Sequence, residues 1–400
     1  MMSPTTIEIN AVQNEHDESR MEQPTKAVMP PNRPKLLSLT GSRFWAAFLV
    51  FLFHASIPSD LAPYADPTIE HIFAAIVSKA GWVGVSFFFI LSGFVMVWSA
   101  RDNDTVGNFY LRRFAKIYPT HCLTWAIALA LGVVSIGAYK IWLSNLLLVN
   151  SWVNDVKYFF VVNRPSWCLC DEILFYLLFP MLFKAMKAIP KKFDLLGIGV
   201  AVVASLLIQI FIYFWVEPNH MMPYYPVSQR QFWFSYIFFP SRLFEFVSGM
   251  FVARLLIYGR VPVLPKAAAL TLLIAVYIGA MFLPYQFGLN VIYIIPVSLL
   301  IVSIANDDLN AKKNILNRKS SIWLGEISYA FYMVHFLVLF VLFKLLDGKK
   351  LDFMEGTAIL AIALILSVSC ASLVYRYFEI PMNRKILDIF RPKFLKTITE

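Results

Sequence analysis

Apolar residues in this chain come in long blocks separated by short charged stretches. About 20 apolar residues span a bilayer as a helix, and ten blocks approach or exceed that length. They lie at 36–58, 81–99, 117–136, 167–187, 195–216, 231–257, 266–283, 288–304, 322–343 and 356–376. An eleventh, 141–152, is too short to cross. The pattern predicts an all-α integral membrane protein, a bundle of about ten transmembrane helices with one short non-spanning segment. Residues 1–35 are polar and hold Pro24, Pro30, Pro31 and Pro34. They read as a disordered cytoplasmic tail, without the basic-then-apolar order of a signal peptide. The expected organisation is that tail, a membrane domain over 36–384, and a basic cytoplasmic tail over 385–400.

Composition agrees. Hydrophobic residues make up 59% of the chain and charged residues 15%, which a soluble protein of 400 residues has no means to bury. The net charge of +10 is not a nucleic-acid signal, because the basic residues sit in loops between spans. With ten crossings and the N-terminus inside, 25 Lys and Arg fall on the cytoplasmic side and 8 on the other. That excess predicts both termini cytoplasmic. The four cysteines, Cys122, Cys168, Cys170 and Cys370, lie in apolar stretches and suggest neither disulfides nor a metal site. No internal repeat is visible, which disfavours a transporter built from inverted halves.

Polar residues inside apolar spans are costly and mark function or a buried pairing. Arg43 and His54 share the first span. Eleven residues is about three helical turns, so both point from one face about 16 Å apart. Asp171 and Glu172 fall near the outer end of the fourth span, at the expected depth of His54. A carboxylate there suits a histidine acting as a base, while a simple pair of carboxylates at a helix start is the plainer reading. Arg242 and Glu245 are three apart and read as an ion pair or a ligand contact. Arg112, Arg113 and Lys116 precede the third span, as positive-inside anchors or as phosphate binders. Gly84, Ser86, Ser92 and Gly93 in the second span suit close helix packing or a thin passage. Ser328, Tyr329 and His335 are hydrogen-bonding groups between helices, with His335 alone reading as structural.

In this order the segments resemble the acyltransferase-3 family of integral membrane acyltransferases. They are Arg43-x10-His54, GVSFFFILSGF, RRFAKIYP, WCLCDEILFYLLFP, PSRLFEFVSG, LGEISYAFYMVH and the FEIP around Glu379. The resemblance runs from about Leu36 to Arg384, without a fused esterase-like domain. It implies an O-acyltransferase of the plasma (inner) membrane that takes acyl groups, most often acetyl, from cytoplasmic acyl-CoA as co-substrate, with no bound cofactor or metal. The implied acceptor is a hydroxyl of a cell-surface glycan or lipid-linked sugar. A small metabolite such as a macrolide is the alternative acceptor, and a transporter of a small anion or lipid-linked sugar is the alternative from another class. No obligate protein partner and no nucleic acid are implied. His54 matches the catalytic histidine and Glu172 the carboxylate of the tryptophan-to-glutamate motif. Arg43, Arg113 and Lys116 match the acyl-CoA-binding cations, with Lys116 standing where an arginine is usual. Cys168 stands where serine is common. Ser92, Arg242, Glu245, Tyr329 and His335 are assigned to substrate contact or support.

Overall fold

The computed structural model describes residues 33–57, 63–101, 104–223 and 225–390. The expected tails lie outside them up to residue 32 and from residue 391 onward. Among the described residues there are helices and isolated bridges but no strands. The helices are α1 (Leu37–Ala55), α2 (Pro67–Val77), α3 (Ala80–Ser99), α4 (Val106–Ala130), α5 (Tyr139–Leu146), the single turn α6 (Val156–Phe159), α7 (Trp167–Ala188) and α8 (Asp194–Trp215). There follow the single turn α9 (Gln229–Phe232), α10 (Leu243–Ile257), α11 (Lys266–Gly279), α12 (Ile294–Leu309), α13 (Lys319–Glu326), α14 (Ser328–Leu345), α15 (Phe353–Val374) and α16 (Ile380–Phe390).

Each apolar block falls on helix, and seven helical stretches are long and apolar enough to cross a membrane. The other three blocks depart from simple spans for identifiable reasons. Block 117–136 is the second part of α4. That helix starts at Val106, where the Thr105 side chain accepts the Asn108 N–H (3.2 Å), so it carries Arg112, Arg113 and Lys116 within its own length. It stops before Gly132, whose φ of +71° only glycine adopts freely. Block 231–257 is broken at Pro240, which removes a donor and disfavours helix at Phe239. A π turn (Trp233–Ile237) and a 3₁₀ turn (Phe239–Ser241) fill the gap, and α10 begins only at Leu243. Helix α11 has 14 residues, about 21 Å of helix. The short segment at 141–152 becomes α5, eight residues or about 12 Å.

Helix α3 is the spine, packed between α1 and α10, while α1 also packs on α13 and α14. Small residues make these approaches close. A Cβ at Gly93 would overlap the Phe246 carbonyl oxygen, and one at Gly249 the Ile90 carbonyl oxygen. At Gly84 a Cβ would stand 2.6 Å from the Ala46 carbonyl oxygen of α1. At Gly84 and Gly93 the small stripe is therefore a packing seam, while Ser92 lines a cavity. Helices α8 and α15 carry exposed apolar faces, such as Phe211, Phe214 and Trp215, which suit contact with lipid tails. At the junction of α7, α8 and α10 the buried Arg254 pairs with Asp194 and donates to the carbonyls of Met186 and Ile189.

Candidate functional site

Two cavities lie at opposite ends of α1. The first, of about 450 Å³, opens by the N-terminal half of α1 and holds charged groups from four helices. Arg43 reaches it from α1, Arg113 and Lys116 from α4, Glu172 from α7, and Glu326 from α13. Ser92 of α3 and Tyr329 of α14 also line it. Glu172 accepts hydrogen bonds from the Tyr176 hydroxyl and from Ser92 (3.5 Å), and both Arg43 and Arg113 lie within electrostatic range of it. Arg113 is stacked over the rings of Phe109 (5.6 Å) and Tyr176 (5.7 Å), and its buried Nε has no hydrogen-bond partner among the described residues. Such a donor at a cavity wall suits an anionic oxygen of a ligand. Lys116 is already engaged, because it pairs with the buried Glu379. Tyr329 donates to the Ile117 carbonyl (2.7 Å), tying α14 to α4.

Through Met96 and Arg113, which line both, this cavity adjoins a wider groove of about 770 Å³. Its rim carries Arg112, Lys184 and Lys187, and its floor holds Phe109, Phe179 and Phe183 in stacked contact. An aromatic floor under a cationic rim fits a base carrying phosphates. Arg112 itself is held by Asp104, with one bond of 3.0 Å.

The second cavity, of about 480 Å³, opens by the C-terminal end of α1 and contains His54. Its walls are mainly aromatic, among them Phe53, Trp82, Phe160, Tyr225 and Phe336. Arg164 is its charged member and lies over the Phe336 ring (5.3 Å). His54 is 8% exposed, and its Nδ1 stands 2.8 Å from Nε2 of His335. His335 Nδ1 faces the Phe331 carbonyl at 3.2 Å. A carbonyl only accepts, so His335 carries its proton on Nδ1 and offers its Nε2 lone pair to the Nδ1–H of His54. That leaves Nε2 of His54 unprotonated, a base with its tautomer fixed from behind.

The structure thus separates two residues that the sequence placed together. His54 has His335 as its partner, whereas Glu172 sits in the cationic cavity with Arg43. The reason is where α7 starts. Trp167 begins the helix and lines the aromatic cavity, and Glu172 lies five residues further along, about 7.5 Å deeper. His335 reads as structural from its own helix, because its partner His54 lies in a distant segment. The signal was a second histidine inside an apolar span, at the same cost as the first. Arg164, just before α7, has no motif in the sequence that marks it as a cavity residue. Arg242 and Glu245 line neither cavity. They are fully buried and 2.9 Å apart, an ion pair by distance whose N–H is not aimed at the oxygen, with Arg242 over the rings of Tyr236 (4.5 Å) and Phe89 (5.0 Å). They support the wall behind Tyr236. Among the described residues no cluster of three His, Cys, Asp or Glu side chains is placed to hold a metal.

Comparison with known proteins places residues 36–376 in a match to the acyltransferase-3 family, described as an acyltransferase domain. The chain is 35% identical over 334 residues to "Acyltransferase MdmB" of Streptomyces mycarofaciens, covering 80% of this chain and 83% of that one. It is 22% identical to "Peptidoglycan O-acetyltransferase OatA" of Listeria monocytogenes, over 77% of this chain but only 52% of that longer relative. It is 28% identical to "Exopolysaccharide production protein ExoZ" of Rhizobium meliloti, over 66% of this chain and 78% of the relative. No solved structure matches the chain.

Proposed function

This chain belongs to the acyltransferase-3 family, and from that premise we propose that it is an O-acyltransferase with ten crossings and both termini in the cytoplasm. It moves an acetyl group from cytoplasmic acyl-CoA to a hydroxyl presented at the other face of the plasma (inner) membrane. The observation that carries the reading is the division of labour along α1: cations at one end, a tautomer-fixed histidine at the other.

The nucleotide head of the donor lies in the basic groove, and Arg43 and Arg113 meet its phosphates or the polar arm. Glu172 positions those two arginines and takes no proton. The arm runs along α1 toward His54. There Nε2 of His54 accepts the acceptor's hydroxyl proton as that oxygen bonds to the acyl carbon. The carbon–sulfur bond then breaks, and His54 returns the proton to the departing CoA thiolate. His335 holds His54 in the reactive tautomer throughout, and the buried imidazole pair needs no carboxylate neighbour for that.

For the acceptor, a cell-surface glycan or lipid-linked sugar is favoured by two relatives, one named for peptidoglycan and one for exopolysaccharide. The aromatic walls offer faces on which sugar rings pack. The same apolar walls also favour a second reading, an acceptor hydroxyl on a small, mainly apolar body such as a macrolide.

The test is incubation of purified protein in lipid discs with labelled acetyl-CoA and panels of glycans, lipid-linked sugars and macrolides, with mass spectrometry of products. Acetylated product from one panel names the acceptor class. A transporter predicts no thioester cleavage at all, and that outcome with every panel would reject the enzyme reading.

A further inference from the structure

We propose that Val85 and Tyr332 form the checkpoint between the two cavities and determine which acyl groups reach His54. The inference rests on the acyl-CoA reading above and adds to it the determinant of acyl size. Among the described residues, these two alone line both the cationic and the aromatic cavity. They therefore form the partition between the donor's cations and the base.

Both sides of the partition are held in place. Tyr332 is 7% exposed, and its hydroxyl lies 3.0 Å from the Cys168 sulfur and 3.3 Å from the Pro165 carbonyl. Its ring is braced edge-on by Phe88 at 5.7 Å and lies 6.0 Å from the His335 ring. Val85 stands on α3 next to Gly84, the position where α3 meets the α1 backbone. The helix cannot back away there, and a β-branched side chain in a helix has one preferred rotamer. A donor entering from the cationic side leads with its acyl group. Every carbon of that group passes this point before the thioester carbonyl meets the acceptor. Short groups pass with little displacement. Longer ones need Tyr332 to give up its hydrogen bonds, or Val85 to be smaller.

Cys168 belongs to the same device. A thiol accepts more weakly than a hydroxyl, so the Tyr332 tether in this chain is a soft one, shared with the Pro165 carbonyl.

The experiment compares acetyl-, butyryl- and hexanoyl-CoA as donors, reading CoA thiol release and acylated product. Wild type, Val85→Ala, Val85→Phe and Tyr332→Phe are assayed together, with melting curves for each. Val85→Ala is expected to raise the hexanoyl-to-acetyl ratio of kcat/KM about tenfold or more. Tyr332→Phe keeps the ring and loses the tether, and shifts the ratio the same way. Val85→Phe is expected to slow butyryl transfer more than acetyl transfer. An unchanged ratio in both Val85→Ala and Tyr332→Phe, with acetyl transfer intact, overturns the checkpoint and leaves the enzyme reading standing. Absence of thiol release from wild type with any donor would instead reject the enzyme reading.

A photoreactive group on the last carbon of hexanoyl-CoA gives a readout that needs neither turnover nor an acceptor. In wild type the label is expected on the cationic side, at Phe88 or Phe89. In Val85→Ala it is expected to reach Phe53 or Phe336 across the partition. Equal labelling of Phe53 in both proteins would overturn the proposal.

Discussion

Replacing His335 with alanine removes the acceptor of the His54 Nδ1 proton from a place where water does not substitute for it, since His335 is fully buried. Leaving a buried donor unpaired costs about 1–3 kcal/mol, which is about fivefold to 150-fold in an equilibrium or rate. Loss of the partner also frees His54 to carry its proton on Nε2, and that nitrogen then has no lone pair to accept the hydroxyl proton. Partners that orient metal-binding histidines are worth about 10–100-fold, a scale that falls inside the range above. We therefore expect kcat of His335→Ala to fall about 10–100-fold. The KM for acetyl-CoA should stay near wild type, because His335 is not part of the cationic cavity. His335→Gln offers an amide oxygen to the same N–H and should recover most of the loss. The assay is initial-rate CoA release at saturating acceptor, with a melting curve to confirm folding. Wild-type kcat in His335→Ala would refute the argument. So would equal losses in the alanine and glutamine variants, which would point to lost volume rather than a lost hydrogen bond.

Three further outcomes follow from other parts of the molecule. Arg43→Gln should raise the KM for acetyl-CoA about tenfold, since a charge-assisted phosphate contact is worth about 1.5–3 kcal/mol; Arg112→Gln, whose cation is held by Asp104, should raise it less, and equal effects in titration with CoA would count against the cavity assignment. Arg254→Met strands the buried Asp194 and should cost about 3–5 kcal/mol of stability, seen as a lower melting temperature with little change in KM. Gly249→Ala forces a methyl onto the Ile90 carbonyl and should destabilise by about 1–3 kcal/mol; a melting temperature equal to wild type would show that α3 and α10 part more easily than their contact implies.

What the sequence made legible was whatever depends on one helix at a time. The apolar blocks located the helices, and the eleven-residue spacing of Arg43 and His54 put them at opposite ends of α1, one in each cavity. What stayed hidden depends on how helices meet. His54 and His335 are 281 positions apart, and nothing in either segment names the other. The depth of Glu172 turned on the start of α7 at Trp167, which hydropathy alone blurs because the preceding Val161 and Val162 are also apolar. The break at Pro240 was written in the sequence, but the apolar residues on both sides of it masked a broken helix as one span. Lys116 read as a free cation because its partner Glu379 lies near the far end of the chain.

The meeting of Gly93 with Phe246 and of Gly249 with Ile90 has a consequence for how this protein can change over generations. In most helix contacts a larger residue on one side is balanced by a smaller one opposite, so the interface drifts while its volume is kept. Here each glycine faces main chain, which has the same bulk whatever residue bears it. There is nothing across the seam left to shrink. Such positions have no compensating partner, so drift is closed to them even while the side chains of the aromatic cavity remain free to be recast.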